Sequence, residues 1–162
     1  MATEPALRLI DDALLDAVGA EAKASPRLRK NRNFHDRDDH PGHRLLNAIE
    51  PGSYIPPHRH LDPFKDETMV VLRGRIGLVL FDDTGRAIRA LTLGAGGDAL
   101  GADIPHGTWH SVLALEPDTV FFEAKAGPYR PHAPAELAPW APAENSAAAA
   151  AYLAELRARF GS

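Results

Sequence analysis

The sequence of 162 residues contains no cysteine. This absence excludes disulfide scaffolds, thiol catalysis, and zinc or iron–sulfur sites built on cysteine. A metal ion would have to be held by histidine, carboxylate or carbonyl ligands. A domain of this size buries enough surface to fold without a structural metal, so a metal site here would serve a function.

Basic charge is in short supply, since 18 Lys and Arg residues stand against 22 Asp and Glu residues. The formal net charge of −4 disfavours a protein dedicated to binding nucleic acid. Long apolar runs are missing as well, because none could cross a bilayer and residues 1–5 lack the start of a signal peptide. We therefore expect a cytoplasmic protein without membrane partners.

Short β-rich segments dominate the middle of the chain. Turn residues separate them at intervals typical of a sandwich or barrel, and no helical pattern interrupts them. The predicted strands cover residues 45–49, 68–72, 76–81, 87–93, 109–115 and 119–124, with a weaker strand near 99–104.

Helical patterns occur at both ends of the chain. Apolar spacing predicts a helix over residues 7–18, with Ser25-Pro26 as its stop, and a second helix capped by Asn145 or Ser146. Prolines between residues 128 and 142 exclude regular structure and predict an extended arm. We divide the single domain into a lead-in (1–43), a barrel (44–127), a proline-rich arm (128–144) and a terminal helix (145–162).

Histidines with metal-ligand spacing carry the chemical signal. His58 and His60 are two residues apart, so in an extended segment both side chains lie on the same face. Glu67 opens the next predicted strand, and His110 begins a later one. Three imidazoles and a carboxylate can hold one divalent ion, which could be Zn, Fe, Mn, Ni or Co, and leave positions open for water or substrate.

The same segments resemble the two motifs of the cupin superfamily. Gly52, His58-x-His60, Glu67 and Gly74 match the first motif, although six residues separate His60 from Glu67, more than in the general pattern. The second motif is matched by Pro105-x-Gly107-x-x-His110. The amino-acid sequence of residues 30–35 and 58–67 resembles that of the WbuC-type cupin fold metalloproteins, a family associated with bacterial O-antigen clusters.

The resemblance implies a mainly β fold, a cupin-type jelly-roll β-barrel with a short N-terminal helix and a C-terminal helix. It also implies one divalent metal ion bound by His58, His60, Glu67 and His110. Cupin barrels often pair through strand edges, so a homodimer is a further expectation.

Function follows from what such an ion can do. It can act as a Lewis acid, lower the pKa of bound water or, as iron, bind dioxygen. The first hypothesis is a metal-dependent enzyme, an isomerase or epimerase, acting on a sugar or sugar nucleotide in surface-polysaccharide synthesis, a substrate class that comes from family association alone. The alternatives are an iron-dependent dioxygenase and a non-catalytic module that binds a metal and a ligand.

Several residues outside the ligand set are weaker candidates. His106 and Tyr54 are candidate proton carriers. The basic stretch at residues 27–32 is by default an exposed loop. It also predicts an anion-binding set for a small-molecule ligand, because arginine forks match carboxylate and phosphate oxygens two at a time. This set consists of Arg29, Arg32, Asn33 and His35.

Single histidines elsewhere have a plainer interpretation. A lone imidazole on a strand or loop is usually a satisfied core or surface residue. On this ground we expect no metal-binding role for His35, His40, His43 and His132.

Overall fold

The computed structural model describes residues 6–161 and is built of eight strands and two helices in that range. The strands are β1 (Arg29–Asn33), β2 (Gly42–Ile49), β3 (Glu67–Arg73), β4 (Arg75–Phe81), β5 (Ala87–Gly94), β6 (Gly101–Ile104), β7 (Trp109–Ala114) and β8 (Thr119–Ala126). The helices are α1 (Asp12–Ala24) and α2 (Ala149–Arg157), and short 3-10 turns cover Pro134–Glu136 and Ala158–Phe160. Residues 1–5, where we expect no signal peptide to begin, lie outside the described residues, as does Ser162.

The strands form two antiparallel sheets. One sheet has five strands in the order β1-β2-β8-β3-β6, and the other has three in the order β5-β4-β7. Every named strand pair is antiparallel. The predicted fold class, mainly β with a helix near each end of the chain, is confirmed.

An apolar core fills the space between the sheets. Alternate side chains of β3 point inward, beginning with Glu67 and Met69, and those of β7 do the same with His110 and Val112. Met69 and Val112 belong to one cluster with seven further buried side chains, Ile49, Ile76, Leu78, Leu93, Ile104, Ala114 and Phe121. Each large apolar side chain in such a core contributes roughly 1.5–3 kcal/mol. The core leaves one end of the sandwich to polar groups.

The two helices cover the outer faces of the sheets. Helix α1 packs Val18 and Ala22 against Leu46 and Val120 of the five-stranded sheet. Helix α2 belongs to a second apolar cluster, together with Trp109 on the outer face of the three-stranded sheet. No helix within residues 6–161 is both long and apolar enough to cross a membrane.

The helix boundaries differ from those predicted. Helix α1 begins at Asp12 rather than at residue 7, because the Asp11 side chain accepts a hydrogen bond from Leu14 N at 2.9 Å and caps the helix. Helix α2 begins at Ala149, and neither predicted cap acts as one. The Ser146 hydroxyl instead donates to the Ala143 carbonyl within the preceding turn.

The basic stretch is a strand rather than a loop. Residues 29–33 form β1, which pairs with β2 in the register Asn31↔Asn47. Residues 29–33 show no alternation of apolar and polar residues and contain no residue with high β propensity. Backbone pairing with the neighbouring strand therefore decides their conformation. The predicted lead-in therefore contributes a strand to the main sheet.

We predict that Gly74→Ala destabilises the fold more than Gly96→Ala. Both glycines have positive φ, +71° and +75°, which costs a residue with a Cβ about 1–2 kcal/mol. A Cβ at Gly74 would also collide with the Thr119 hydroxyl and lie 3.0 Å from Thr119 Cα, whereas nothing lies within 4 Å at Gly96. Urea denaturation of both variants measures the difference, and equal losses would contradict the crowding at Gly74.

Candidate metal centre

The four predicted ligands meet at one end of the sandwich. Ligand atoms of His58, His60, Glu67 and His110 all lie within 4.8 Å of one another. His58 is partly exposed and the other three are buried. The set fits a metal site, because donor atoms bound at about 2.0–2.2 Å to a single ion come this close.

Backbone pairing fixes the position of the two-histidine segment. His58 N donates to His110 O at 3.0 Å, and His110 N donates to His58 O at 2.9 Å. This bridge is a single pair rather than a full strand. One turn further, Gly107 N donates to His60 O at 2.6 Å, and Gly107 adopts the positive φ of +77° that this turn requires. The Pro-x-Gly motif therefore helps to fix the segment that carries His60.

The ligands Glu67 and His110 come from different sheets. Glu67 is the first residue of β3 in the five-stranded sheet, while His110 lies in β7 of the three-stranded sheet. Glu67 Oε2 lies 2.8 Å from His60 Nε2 and 3.9 Å from His110 Nε2. The centre therefore joins the two sheets at the polar end of the core.

The imidazole tautomers suit metal binding. His58 Nδ1 lies 2.9 Å from the Pro56 carbonyl, and His110 Nδ1 lies 2.9 Å from the Thr108 carbonyl. A carbonyl can only accept, so each Nδ1–H donates and each Nε2 keeps its lone pair for a metal. His110 Nε2 is buried and has no hydrogen-bond partner among the described residues. An ion would satisfy this nitrogen.

The electrostatics of the centre keep its carboxylate charged. Burial alone would raise the pKa of Glu67, but the hydrogen bond from His60 and the Lys125 ammonium hold it well below its usual range. Burial lowers the pKa of His58 and of His110, so both imidazoles stay neutral. Neutral imidazoles with an ionised carboxylate are the forms that bind a divalent cation.

Lys125 connects the metal centre to a second pair of charges. Its Nζ lies 3.9 Å from Glu67 Oε2 and 2.5 Å from Glu123 Oε1. Burial would lower the pKa of Lys125, but Glu123 and Glu67 outweigh that effect and raise it. Asn47 Nδ2 donates to the other oxygen of Glu123 at 2.7 Å. The partly buried ammonium is thus held in place between two carboxylates.

A polar cavity lies beside this ammonium, on the inner face of the five-stranded sheet. Its volume is about 280 Å³. Lys125 forms part of its wall, and across the sheet Lys125 is paired with His43 on one side and Glu67 on the other. The lining residues are Asn31, Asn33, His35, Asp38, His43, Leu45, Lys125 and Tyr129. Lys125 therefore lies between the cavity, which it lines, and the metal centre, where its Nζ is 3.9 Å from Glu67 Oε2.

The predicted anion-binding residues divide into two groups. Asn33 and His35 line the cavity. Arg29 does not, because it pairs with Glu144 at 2.8 Å and donates to Ser53 at the other end of the strand. Arg32 forms an ion pair with Glu21 of α1. Both guanidinium groups are engaged in ion pairs and neither lines the cavity, so a role for these arginines in substrate binding stays a prediction.

The predicted proton carriers lie outside the centre. His106 is exposed, and its backbone N and its Nδ1 each lie 2.8 Å from Asp66 Oδ1. The Tyr54 hydroxyl donates to the Pro142 carbonyl at 2.9 Å within the apolar cluster under α2. That cluster lies on the face of β7 opposite to His110. Neither side chain belongs to the ligand set, and their role as proton carriers stays a prediction.

Sequence reasoning missed three residues near the site. The ring of His132 lies 4.7 Å from that of His58 and 5.5 Å from that of His60, measured between centroids. His43 stacks on His35 at 3.9 Å and lines the cavity. Inward alternation along β8 could have revealed Lys125, but no local pattern marks His132 as a neighbour of residues 70 positions earlier.

Comparisons with known proteins agree with the fold. The family model described as Domain of unknown function (DUF6016) matches residues 10–93, a stretch that includes His58, His60 and Glu67 but ends before His110. This match does not confirm the WbuC family. A comparison with curated proteins found no match.

Solved structures similar to this chain include two that share its fold. A conserved protein of unknown function from Streptococcus pyogenes is 14% identical, with a TM-score of 0.50 over 81% of this chain and 93% of that one. Procruciferin, the 11S globulin of Brassica napus, is also 14% identical with a TM-score of 0.50, over 64% of this chain and 26% of the globulin. KdgF from Halomonas sp. is 24% identical, with a TM-score of 0.47 over 65% of this chain and 84% of that chain. At these identities the likeness concerns the fold alone.

We predict that His110→Ala abolishes stoichiometric metal binding. Loss of even an outer hydrogen-bond partner of a ligand weakens metal affinity by about 10–100-fold, so loss of the ligand itself weakens it at least as much. Elemental analysis of tag-free protein, followed by titration of the metal-free form with Co²⁺, measures the effect. The matched control is His106→Ala, four residues away and paired with Asp66, which keeps full occupancy. Equal occupancy in both variants would show that the ligand set is wrong.

We further predict that the metal-free protein loses stability as pH falls from 7 to 5. In the unfolded chain histidine titrates near its ordinary pKa of about 6.5, whereas burial lowers the pKa of His58 and His110 in the fold. The unfolded state thus takes up protons first, so this stability is complete above about pH 6.5 and is lost on acidification.

The variant His110→Gln should reduce this dependence, by at most about 1.4 kcal/mol per pH unit, the limit for one proton. Urea titrations at several pH values measure the slope. The control is His40→Gln, outside the ligand set. An unchanged slope in His110→Gln would contradict a buried neutral imidazole at this position.

Proposed function

We propose that this chain, which belongs to the family described as Domain of unknown function (DUF6016), is a metal-dependent enzyme acting on a small, polar, hydroxyl-bearing substrate. One observation carries the proposal: Lys125 lines a polar cavity and lies 3.9 Å from Glu67, a member of the cluster suited to a divalent ion. A purely structural metal would need no adjacent cavity.

The chemistry divides between the ion and the chain. A bound divalent ion would polarise a substrate oxygen as a Lewis acid. His58, His60 and His110 would present neutral imidazoles to it, and Glu67 would provide the negative charge. Lys125, held by Glu123, places a positive charge beside the Glu67 carboxylate. Because an ammonium group is only a hydrogen-bond donor, Lys125 can donate to a substrate oxygen.

The cavity chemistry favours a sugar-like substrate. Amide groups of Asn31 and Asn33, the ring of His43, and Tyr129 offer both donors and acceptors, as hydroxyl groups require. The volume of about 280 Å³ is near the lower end of ligand sites, roughly 300–1,000 Å³. A single sugar ring suits this space better than an entire sugar nucleotide.

A role in O-antigen or other surface-polysaccharide synthesis rests on the WbuC-type resemblance alone, and we retain it as the pathway to test first. Isomerisation or epimerisation would use the ion as a Lewis acid without consuming oxygen. An iron-dependent dioxygenase would instead consume dioxygen when loaded with Fe²⁺. A non-catalytic module would bind a sugar and leave it unchanged.

We predict that a monosaccharide or sugar acid raises the melting temperature of the metal-loaded protein, and that Asn33→Ala reduces this rise. A ligand at 100 times its Kd stabilises by about 2.7 kcal/mol, and a tenfold weaker ligand loses about 1.4 kcal/mol of binding energy. Thermal melts against a panel of such compounds measure the shift. The control is Arg32→Ala, on the same strand but paired with Glu21.

Equal losses of ligand stabilisation in Asn33→Ala and Arg32→Ala would contradict the cavity as the substrate site. A panel with no stabilising compound would contradict the substrate class. A compound that binds and is recovered unchanged would favour the non-catalytic module, and oxygen uptake by the Fe²⁺-loaded protein would favour the dioxygenase.

A further inference from the structure

The proline-rich arm brings a fourth imidazole, that of His132, to the metal centre. The ring centroid of His132 lies 4.7 Å from that of His58 and 5.5 Å from that of His60. Burial lowers the pKa of His132, and proximity to His60 lowers it further. This histidine comes from outside both metal-binding motifs, on a segment that follows the last strand.

Hydrogen bonds hold the arm against the segment that carries the ligands. Arg59 N donates to the Glu136 carbonyl at 3.0 Å, and Ala138 N donates to the Pro57 carbonyl at 3.1 Å. The Glu136 carboxylate accepts from Leu61 N at 3.0 Å on one oxygen and from Ala133 N at 2.9 Å on the other. These four bonds flank His132 on its C-terminal side and limit its movement away from the centre.

The arginine between the two ligand histidines adds a further constraint. Arg59 Nε donates to the Ala135 carbonyl at 3.1 Å, and its guanidinium lies 4.2 Å from the centre of the Trp109 ring. Arg59 therefore links the ligand segment, the arm and strand β7. A flexible surface loop would not need this many contacts.

His132 stands at the distance of an outer partner rather than of a ligand. The set whose donor atoms lie within 4.8 Å of one another does not include it. A metal–ligand bond of about 2.1 Å and a hydrogen bond of about 2.8 Å together span roughly 5 Å, so one small molecule fits between an imidazole nitrogen and an ion. The side chain is 35% exposed, so His132 borders both the centre and solvent.

We propose that His132 binds the exchangeable small molecule at the metal centre, by a hydrogen bond to the group that occupies an open position of the ion. His132 Nδ1 lies 3.8 Å from Glu136 Oε2, which is beyond hydrogen-bond distance, so the ring keeps its nitrogens for this bond. The inference rests on the proposed function, because it needs an ion at His58, His60, Glu67 and His110. It adds a ligand-binding residue that neither motif contains.

The test uses Co²⁺-loaded protein and acetohydroxamate, a small chelator of divalent ions with both a hydrogen-bond donor and acceptors. The visible spectrum of the bound Co²⁺ reports chelator binding without any need for enzyme activity. We expect His132→Ala to bind Co²⁺ within about threefold of the unmodified chain but to bind acetohydroxamate about tenfold more weakly, which corresponds to about 1.4 kcal/mol. His132→Gln, which retains a donor and an acceptor, should recover part of the loss.

Matched variants separate the possible results. Arg130→Ala removes an exposed side chain from the same arm and should bind both Co²⁺ and acetohydroxamate like the unmodified chain. A loss of Co²⁺ affinity in His132→Ala as large as in His58→Ala would overturn the inference, because His132 would then be a direct ligand. Unchanged acetohydroxamate affinity in His132→Ala would overturn it as well. Co²⁺ binding by the unmodified chain is measured first. If the unmodified chain bound no Co²⁺, the proposed function itself would fail.

Discussion

The burial of the Glu67 carboxylate between two sheets is the constraint on which the rest of the site depends. An ionised group taken out of water costs several kcal/mol unless partners compensate its charge. Here His60 Nε2 lies 2.8 Å from the carboxylate, and the Lys125 ammonium lies 3.9 Å away. Lys125 in turn pairs with Glu123 at 2.5 Å, which places a second carboxylate beside this partly buried ammonium. The candidate metal-ligating carboxylate of Glu67 thus explains why Lys125 and Glu123 lie next to the core, where apolar packing alone would need no charges.

The register of the five-stranded sheet explains where these charges lie. Glu67, Lys125 and His43 are direct neighbours across three strands, and Met69, Glu123 and Leu45 form the next inward row. Because inward side chains recur every second residue, both rows face the space between the sheets. The first row is entirely polar and contains the ligand Glu67, whereas the second row already includes Met69 of the apolar cluster. The metal centre and the cavity are consequently two parts of one polar layer, with Lys125 between them.

The sequence predicts the parts of this site that depend on local spacing. The two-residue spacing of His58 and His60 survives in an extended segment even though that segment is not a full strand. Glu67 joins them despite the longer gap, because a turn in which Lys65 N donates to Asp62 O shortens the path. The division into seven predicted strands also agrees with the structure, since turn residues mark the boundaries.

Long-range placement is what the sequence does not reveal. Arg29 and Arg32 look like an anion-binding pair, but their partners Glu144 and Glu21 lie in elements brought near only by folding. His132 looks like an isolated histidine among prolines, and only the docked arm gives it neighbours. That arm pairs with the ligand segment from the side opposite to β7, through the bridges of His58 with Leu137 and with His110. Pro134 and Pro139 have no N–H to donate, so the pairing cannot extend into another strand. The prolines thus let the arm brace the metal-binding segment while preventing it from becoming a new edge of the sheet.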